Sequence, residues 1–241
     1  MPNRAQTETL GFVLVFALIT MSIGLVYASG FTGLDDAREF EQVNNAERAF
    51  EVLASNLEDI SQRNAPSRST EIKLADASLR IAESIQIEVN DPDADFKETY
   101  DIRPVIYDPA TGAEIVYSLG AVIRDQQNGG FVPRGSSYLI GENRTVLPIL
   151  QTRASGATAV SGSKTILVRA DQSQTRLLYT NDTPTNKFWI NVTSPRALIW
   201  QEHLNDEYAV TSCTLKGDTA ACSFETDRIQ VTLVQIDLAI E

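Results

Sequence analysis

The sequence has 241 residues, room for one substantial domain with an anchor or for two small domains. A charged fraction of 22% and a hydrophobic fraction of 43% exclude both a disordered chain and a uniformly apolar one. The net charge of −12, without any Lys/Arg cluster, argues against a nucleic-acid partner, because phosphate binding needs a basic patch.

The chain opens with a short polar stretch, residues 1–9, that carries Glu8 at the lip of an apolar run. Leu10 to Ala28 is 19 residues without a charge or a proline, and 11 of them are Leu, Ile, Val or Phe. That length approaches the ~30 Å of a bilayer core at about 1.5 Å per residue. The summed gain of roughly 3–7 kcal/mol outweighs Thr20 and Ser22. The spacing predicts a transmembrane helix over 10–29. A cleaved secretory signal has a shorter apolar core and is followed by a mature N-terminus, whereas here more helix follows. Arg4 before the span and Asp35 and Asp36 after it favour a cytoplasmic N-terminus and an exterior C-terminal domain.

From Leu34 the apolar residues fall at Ala37, Phe40, Val43, Ala46, Phe50, Leu53, Leu57 and Ile60, in steps of three and four. This is one stripe of a helix, with Glu41, Glu47, Glu51 and Glu58 among the residues of a solvated face. An amphipathic continuation over 30–63 follows, and one helix from about residue 6 to 62 is on the order of 80 Å long. Such a seam needs cover, either from the chain's own downstream domain or from neighbouring copies.

Pro66 ends the helix, and short alternating runs separated by turns fill 68–241. The runs include 72–90, 100–107, 113–123, 144–152, 164–170, 175–180, 187–193 and 227–240. Period two with regular turns predicts an antiparallel, sandwich-like β domain, so the fold class is α+β. One short helix fits 194–206, with Ser194 as cap, Pro195 as first residue and Leu198, Ile199 and Trp200 pressing on the sheet. Cys213 and Cys222 flank a turn at Lys216-Gly217-Asp218. Two strands there bring the sulfurs together, and a disulfide follows if the domain lies outside the cell.

Chemistry-bearing motifs are few. "GATAVSGSKT" (156–165) approaches a phosphate loop, but Ser163 separates Gly162 from Lys164 and a strand follows. Asp91, Asp93 and Asp95 have calcium-loop spacing without the glycine and glutamate that loop requires, and read as a solvated acidic turn. His203 stands alone as a surface residue of the short helix, too few for a zinc site or a nucleophile–base pair. The expectation is no enzyme, no metal and no cofactor. Sequons occur at Asn143, Asn181 and Asn191, with Pro184 weakening the second. About two arise by chance in such a composition, so they lend an outside location slight weight.

A Glu at the membrane boundary sits in the headgroup layer, or enters an apolar assembly where a cation neutralises it. Short polar N-terminus, boundary Glu, apolar span, amphipathic helix and β domain together resemble a type IV pilin. "RAQTETLGFVLVFALI" resembles the N-termini of a haloarchaeal family of uncharacterised pilin-like membrane proteins, and "RTVLPILQTRASG", "VSGSKTILVRAD" and "VTSPRALIW" are similar to stretches of that family. The acidic, Lys-poor composition (15 Arg against 5 Lys) suits concentrated salt, and also aids solubility in general. The resemblance implies cleavage by a prepilin peptidase before Arg4, Ala5 or Gln6 and bundling of the apolar helices of several copies in the bilayer. Glu8 would set register against a neighbour's amine, and Gly11 and Gly24 would let helices approach closely. The alternative is a single-pass protein that does not assemble and whose β ectodomain binds a ligand or an envelope partner.

Overall fold

The computed structural model describes residues 4–109, 112–126, 129–208 and 210–241; the side chains of residues 4–9, 28, 30–32, 35 and 36 lie outside the described ones. The chain is α+β and divides into two compact units, up to Gln42 and from Val43 onward.

Helix α1 (Arg4–Arg63) supplies the described part of the first unit and the opening of the second. In the first, Leu10–Tyr27 has mean hydropathy 2.4 and none of it is buried. The polar residues of this run are satisfied locally. The hydroxyls of Thr20 and Ser22 each donate to the carbonyl four residues back, Phe16 and Leu18, at 2.8 Å. Each hydroxyl therefore has an acceptor within the helix itself.

In the second unit the stripe of α1 is buried at Val43, Ala46, Phe50, Leu53, Leu57 and Ile60, whereas Leu34 and Phe40 are exposed. Each of the four large residues from Phe50 to Ile60 gains about 1.5–3 kcal/mol by leaving water. The helix stops because Asn64 takes a left-handed conformation, the Ala65 N–H bonds the Asp59 carbonyl, and Pro66 bars another turn.

Fifteen strands follow: β1 (Ser67–Lys73), β2 (Ala77–Ile81), β3 (Ile85–Asp91), β4 (Phe96–Ile102), β5 (Val105–Pro109), β6 (Glu114–Ser118), β7 (Ala121–Gln126), β8 (Gly129–Arg134), β9 (Thr145–Ala154), β10 (Ala159–Gly162), β11 (Thr165–Asn181), β12 (Asn186–Thr193), β13 (Ser212–Lys216), β14 (Thr219–Thr226) and β15 (Ile229–Ile240). Helix α2 (Ala197–Glu207) lies between β12 and β13. The run expected over 72–90 is three strands, and that over 113–123 is a hairpin turning through Leu119 and Gly120, both at positive φ.

They form three sheets, ordered β1-β11-β15-β9, β10-β2-β5-β6-β7-β8 and β13-β14-β12-β3-β4. The named strands pair antiparallel, as expected, except β15 with β9, which run parallel. Two cores result. One holds the α1 stripe with Leu79, Val105, Tyr107, Ile115 and Tyr117; the other holds Ile87, Ile106, Val116, Phe188, Phe224 and Trp200. Neighbours such as Val105/Ile106 and Ile115/Val116 fall in different cores, so the six-stranded sheet is buried on both faces. β15 serves both in turn. Val231 and Leu233 enter the second core, Val234, Ile236 and Leu238 the first, and its burial alternation changes phase at Leu233/Val234.

The short helix begins later than its sequence suggests. Ser194 Oγ accepts from the Arg196 N–H at 3.1 Å, in a turn that precedes Ala197. Ile199 and Trp200 are buried, but Leu198 is exposed. Gly130 is required where β8 meets this helix: a Cβ there would lie 2.4 Å from Ile199 Cδ1 and 2.8 Å from the Arg124 carbonyl oxygen.

Candidate functional site

The side chain of Glu8 lies outside the described residues. Gly11 and Gly24 have no described atom beyond their own stretch of helix within 4 Å of where a Cβ would stand. Cys213 and Cys222 are directly opposed on β13 and β14, and the structure joins them as a disulfide.

The acidic turn is solvated at Asp93 and Asp95, which are exposed, but not at Asp91. Asp91, the last residue of β3, has no exposed surface. One carboxylate oxygen caps a single 3-10 turn, Pro92–Ala94, accepting from the Asp93 and Ala94 N–H groups. The other accepts from Tyr179 Oη at 2.6 Å, Asn186 Nδ2 at 2.5 Å and Asn181 Nδ2 at 3.3 Å. Burial pushes this carboxyl up, but the bonds from Tyr179, Asn186, Asn181 and the Ala94 amide outweigh it and hold it below its ordinary range. The same bond raises Tyr179 to about 12, with its burial the larger cause. Both oxygens are occupied by donors, which leaves no lone pair directed at a cation.

His203 is half-buried between Trp200 and Tyr208, not a surface residue. Its Nε2 is buried without a partner among the described residues. Burial lowers its pKa, against the opposing pull of Glu207 and Asp206. No three His, Cys, Asp or Glu among the described residues are grouped to hold a metal ion.

Glu47 and Glu58, expected on a solvated face, are engaged. Arg124 of β7 pairs with Glu47 at 3.2 Å, and Arg134 of β8 pairs with Glu58 at 2.6 Å while donating to the Glu51 carbonyl. The signal for this was an arginine inside the apolar run "AVIRDQ" (121–126), which an alternating strand does not need unless an acid faces it. Arg196, ahead of α2, bridges Glu114 and Asp125, and Glu114 also pairs with Arg80.

Clefts among the described residues of the β domain include the following. One of about 410 Å³ is lined by Glu142, Asn143, Val210, Thr211, Glu225 and Asp227, among others. Its carboxylates, hydroxyls and single apolar wall suit a neutral, hydroxyl-rich group better than an anion. A second, of about 210 Å³, lies against His203, Phe131 and Ile199. A third, of about 160 Å³, lies against Arg134, Gly135 and Ser136. "GATAVSGSKT" folds as β10 and the start of β11, joined by a turn with Gly162 at φ +114°.

Fold and site together define an α+β protein with, among the described residues, one helix long and apolar enough to cross a membrane, followed by a mostly antiparallel β domain. Residues 4–241 match the model described as "Family of unknown function (DUF7289)", and the chain belongs to that family. Comparison with curated proteins finds no relative, and comparison with solved structures finds no match.

Proposed function

We propose that this protein is a membrane-anchored, pilin-like surface subunit of a haloarchaeal type, whose β domain faces the cell exterior and whose role is structural or adhesive. One observation carries the reading: an 18-residue apolar helix segment, Leu10–Tyr27, none of it covered by the rest of the chain. Side chains so apolar require another cover, and lipid and the same segment of neighbouring copies both supply it. The recorded disulfide agrees with an oxidising exterior. Glu8 would sit at the boundary of this segment and set the register of assembly against a neighbour's amine.

The seam of α1 narrows the partner surface. Its part from Val43 to Ile60 is buried within the second unit. That favours a second reading, a single-pass protein that does not assemble and whose ectodomain is complete in one copy. Assembly, in the first reading, belongs to the helix before Gln42, where Leu34 and Phe40 remain exposed.

N-terminal sequencing of the protein from its own membranes separates the two. A start at Ala5 or within one residue of it is the expected outcome of prepilin-peptidase processing; an intact Met1 or Pro2 supports the plain anchor. Glu8→Ala is expected to insert normally and fail to assemble, and unchanged assembly would remove the role given to that carboxylate.

A further inference from the structure

The three sequons are not equivalent in the folded chain. Asn191 lies in β12, a central strand, and its Nδ2 donates to Glu88 Oε1 at 3.0 Å. Asn181 Nδ2 donates to the buried Asp91, and its Oδ1 accepts from the Thr183 N–H and hydroxyl. Both amides are part of the fold. Asn143 is exposed in the bend before β9, and its side chain takes no hydrogen bond among the described residues.

The hydroxyl residue of that sequon imposes a time order. Thr145 has no exposed surface, and its Oγ1 donates to the Gly141 carbonyl at 3.4 Å. A transferase that must grip Asn and Thr together cannot reach it once the domain is closed. What closes it is β15: Thr145 opens β9, pairs with Ile229, and its N–H bonds the Arg228 carbonyl at 2.7 Å. β9 has no other strand partner in its sheet, and β15 is the last strand of the chain. With the chain crossing the membrane from its anchored N-terminus, this sequon stays open until the final strand has emerged. The sequon at Asn191 has no such interval, because its strand pairs with β3, which precedes it. The sequon at Asn181 also waits for β15, but Pro184 follows it directly.

We propose that Asn143, and neither Asn181 nor Asn191, is the acceptor of an N-linked sugar chain, attached during export before β15 docks. The inference rests on the exterior location of the β domain proposed above. The donor is a sugar activated by a lipid phosphate. A bond forms between Asn143 Nδ2 and the anomeric carbon, the anomeric C–O bond breaks, the lipid phosphate leaves with the electron pair, and Nδ2 gives up one proton. The attached sugar has a ready seat, since Asn143 itself lines the 410 Å³ cleft with Glu142, Thr211, Glu225 and Asp227. Those groups bond sugar hydroxyls as acceptors and donors.

The test is mass spectrometry of peptides from the protein purified out of the cells that make it, beside protease treatment of those cells while intact. Sugar mass on the Asn143 peptide, with the Asn181 and Asn191 peptides unmodified, is the expected result. A domain cut away from intact cells but bare at Asn143 overturns the glycan and leaves the exterior location standing. A domain protected in intact cells and cut only after lysis overturns the location, and the glycan with it. Thr145→Val keeps the buried volume and is expected to abolish the modification, while Thr145→Ser retains it; sugar on the valine variant contradicts the sequon's role. Folded, unmodified protein offered to transferase-bearing membranes is expected to stay bare until it is unfolded, and modification of the folded form contradicts the proposed order.

Discussion

Asp91 shows how a charge is kept where water is absent. Five donors converge on its two oxygens, from a 3-10 turn, from the end of β11 and from the start of β12. Asp91→Asn would turn an amide NH₂ toward donors, leaving buried groups unpaired at a cost of about 2–4 kcal/mol, readable as a lower denaturant midpoint. The pH dependence follows from the direction of its shift. The folded carboxyl is held below its ordinary value of 3.8, so its contribution is complete above that value and is lost as the pH falls through the folded one. The wild type should therefore lose stability below about pH 4 more steeply than Asp91→Asn, and parallel acid curves would contradict this. Little of this hub was legible beforehand. Asp-Pro-Asp and Asn-Asp-Thr-Pro both carry turn chemistry, and turn residues are normally solvated; only the meeting of two distant turns buries them.

At the scale of elements, helix α1 was readable as a pattern but not in its limits. The three-and-four spacing runs unchanged from Leu34 to Ile60, yet cover begins only at Val43, because cover depends on where the sheets reach. The contrast yields a paired prediction. Phe50→Ala should cost about 3–5 kcal/mol in thermal or chemical unfolding of the β domain. Phe40→Ala, on the same stripe, should stay within about 0.5 kcal/mol. Equal losses would mean the seam is covered along its whole length. The strands of the six-stranded sheet were hard to bound for a related reason. Residues buried on both faces erase the alternation that marks a strand, as in "AEIVYSLGAVI", whose hairpin turn was hidden within an apolar run. β15 adds a change of face midway, which no single period describes.

For the whole molecule, the division of labour was the most legible feature. Nineteen uncharged residues near one end and alternating strands after Pro66 announce a long apolar helix and a β domain from the pattern of the sequence. The domain completes its own cores, including the part of α1 that begins at Val43, whereas the apolar segment of α1 has no cover from the chain. Membrane attachment should therefore reside in that segment alone. The most direct measurement is the partition of the full-length protein in membranes washed with alkaline carbonate and then treated with detergent. Retention through the wash and release only by detergent is the predicted result. Release by carbonate, as a freely soluble protein, would contradict the account.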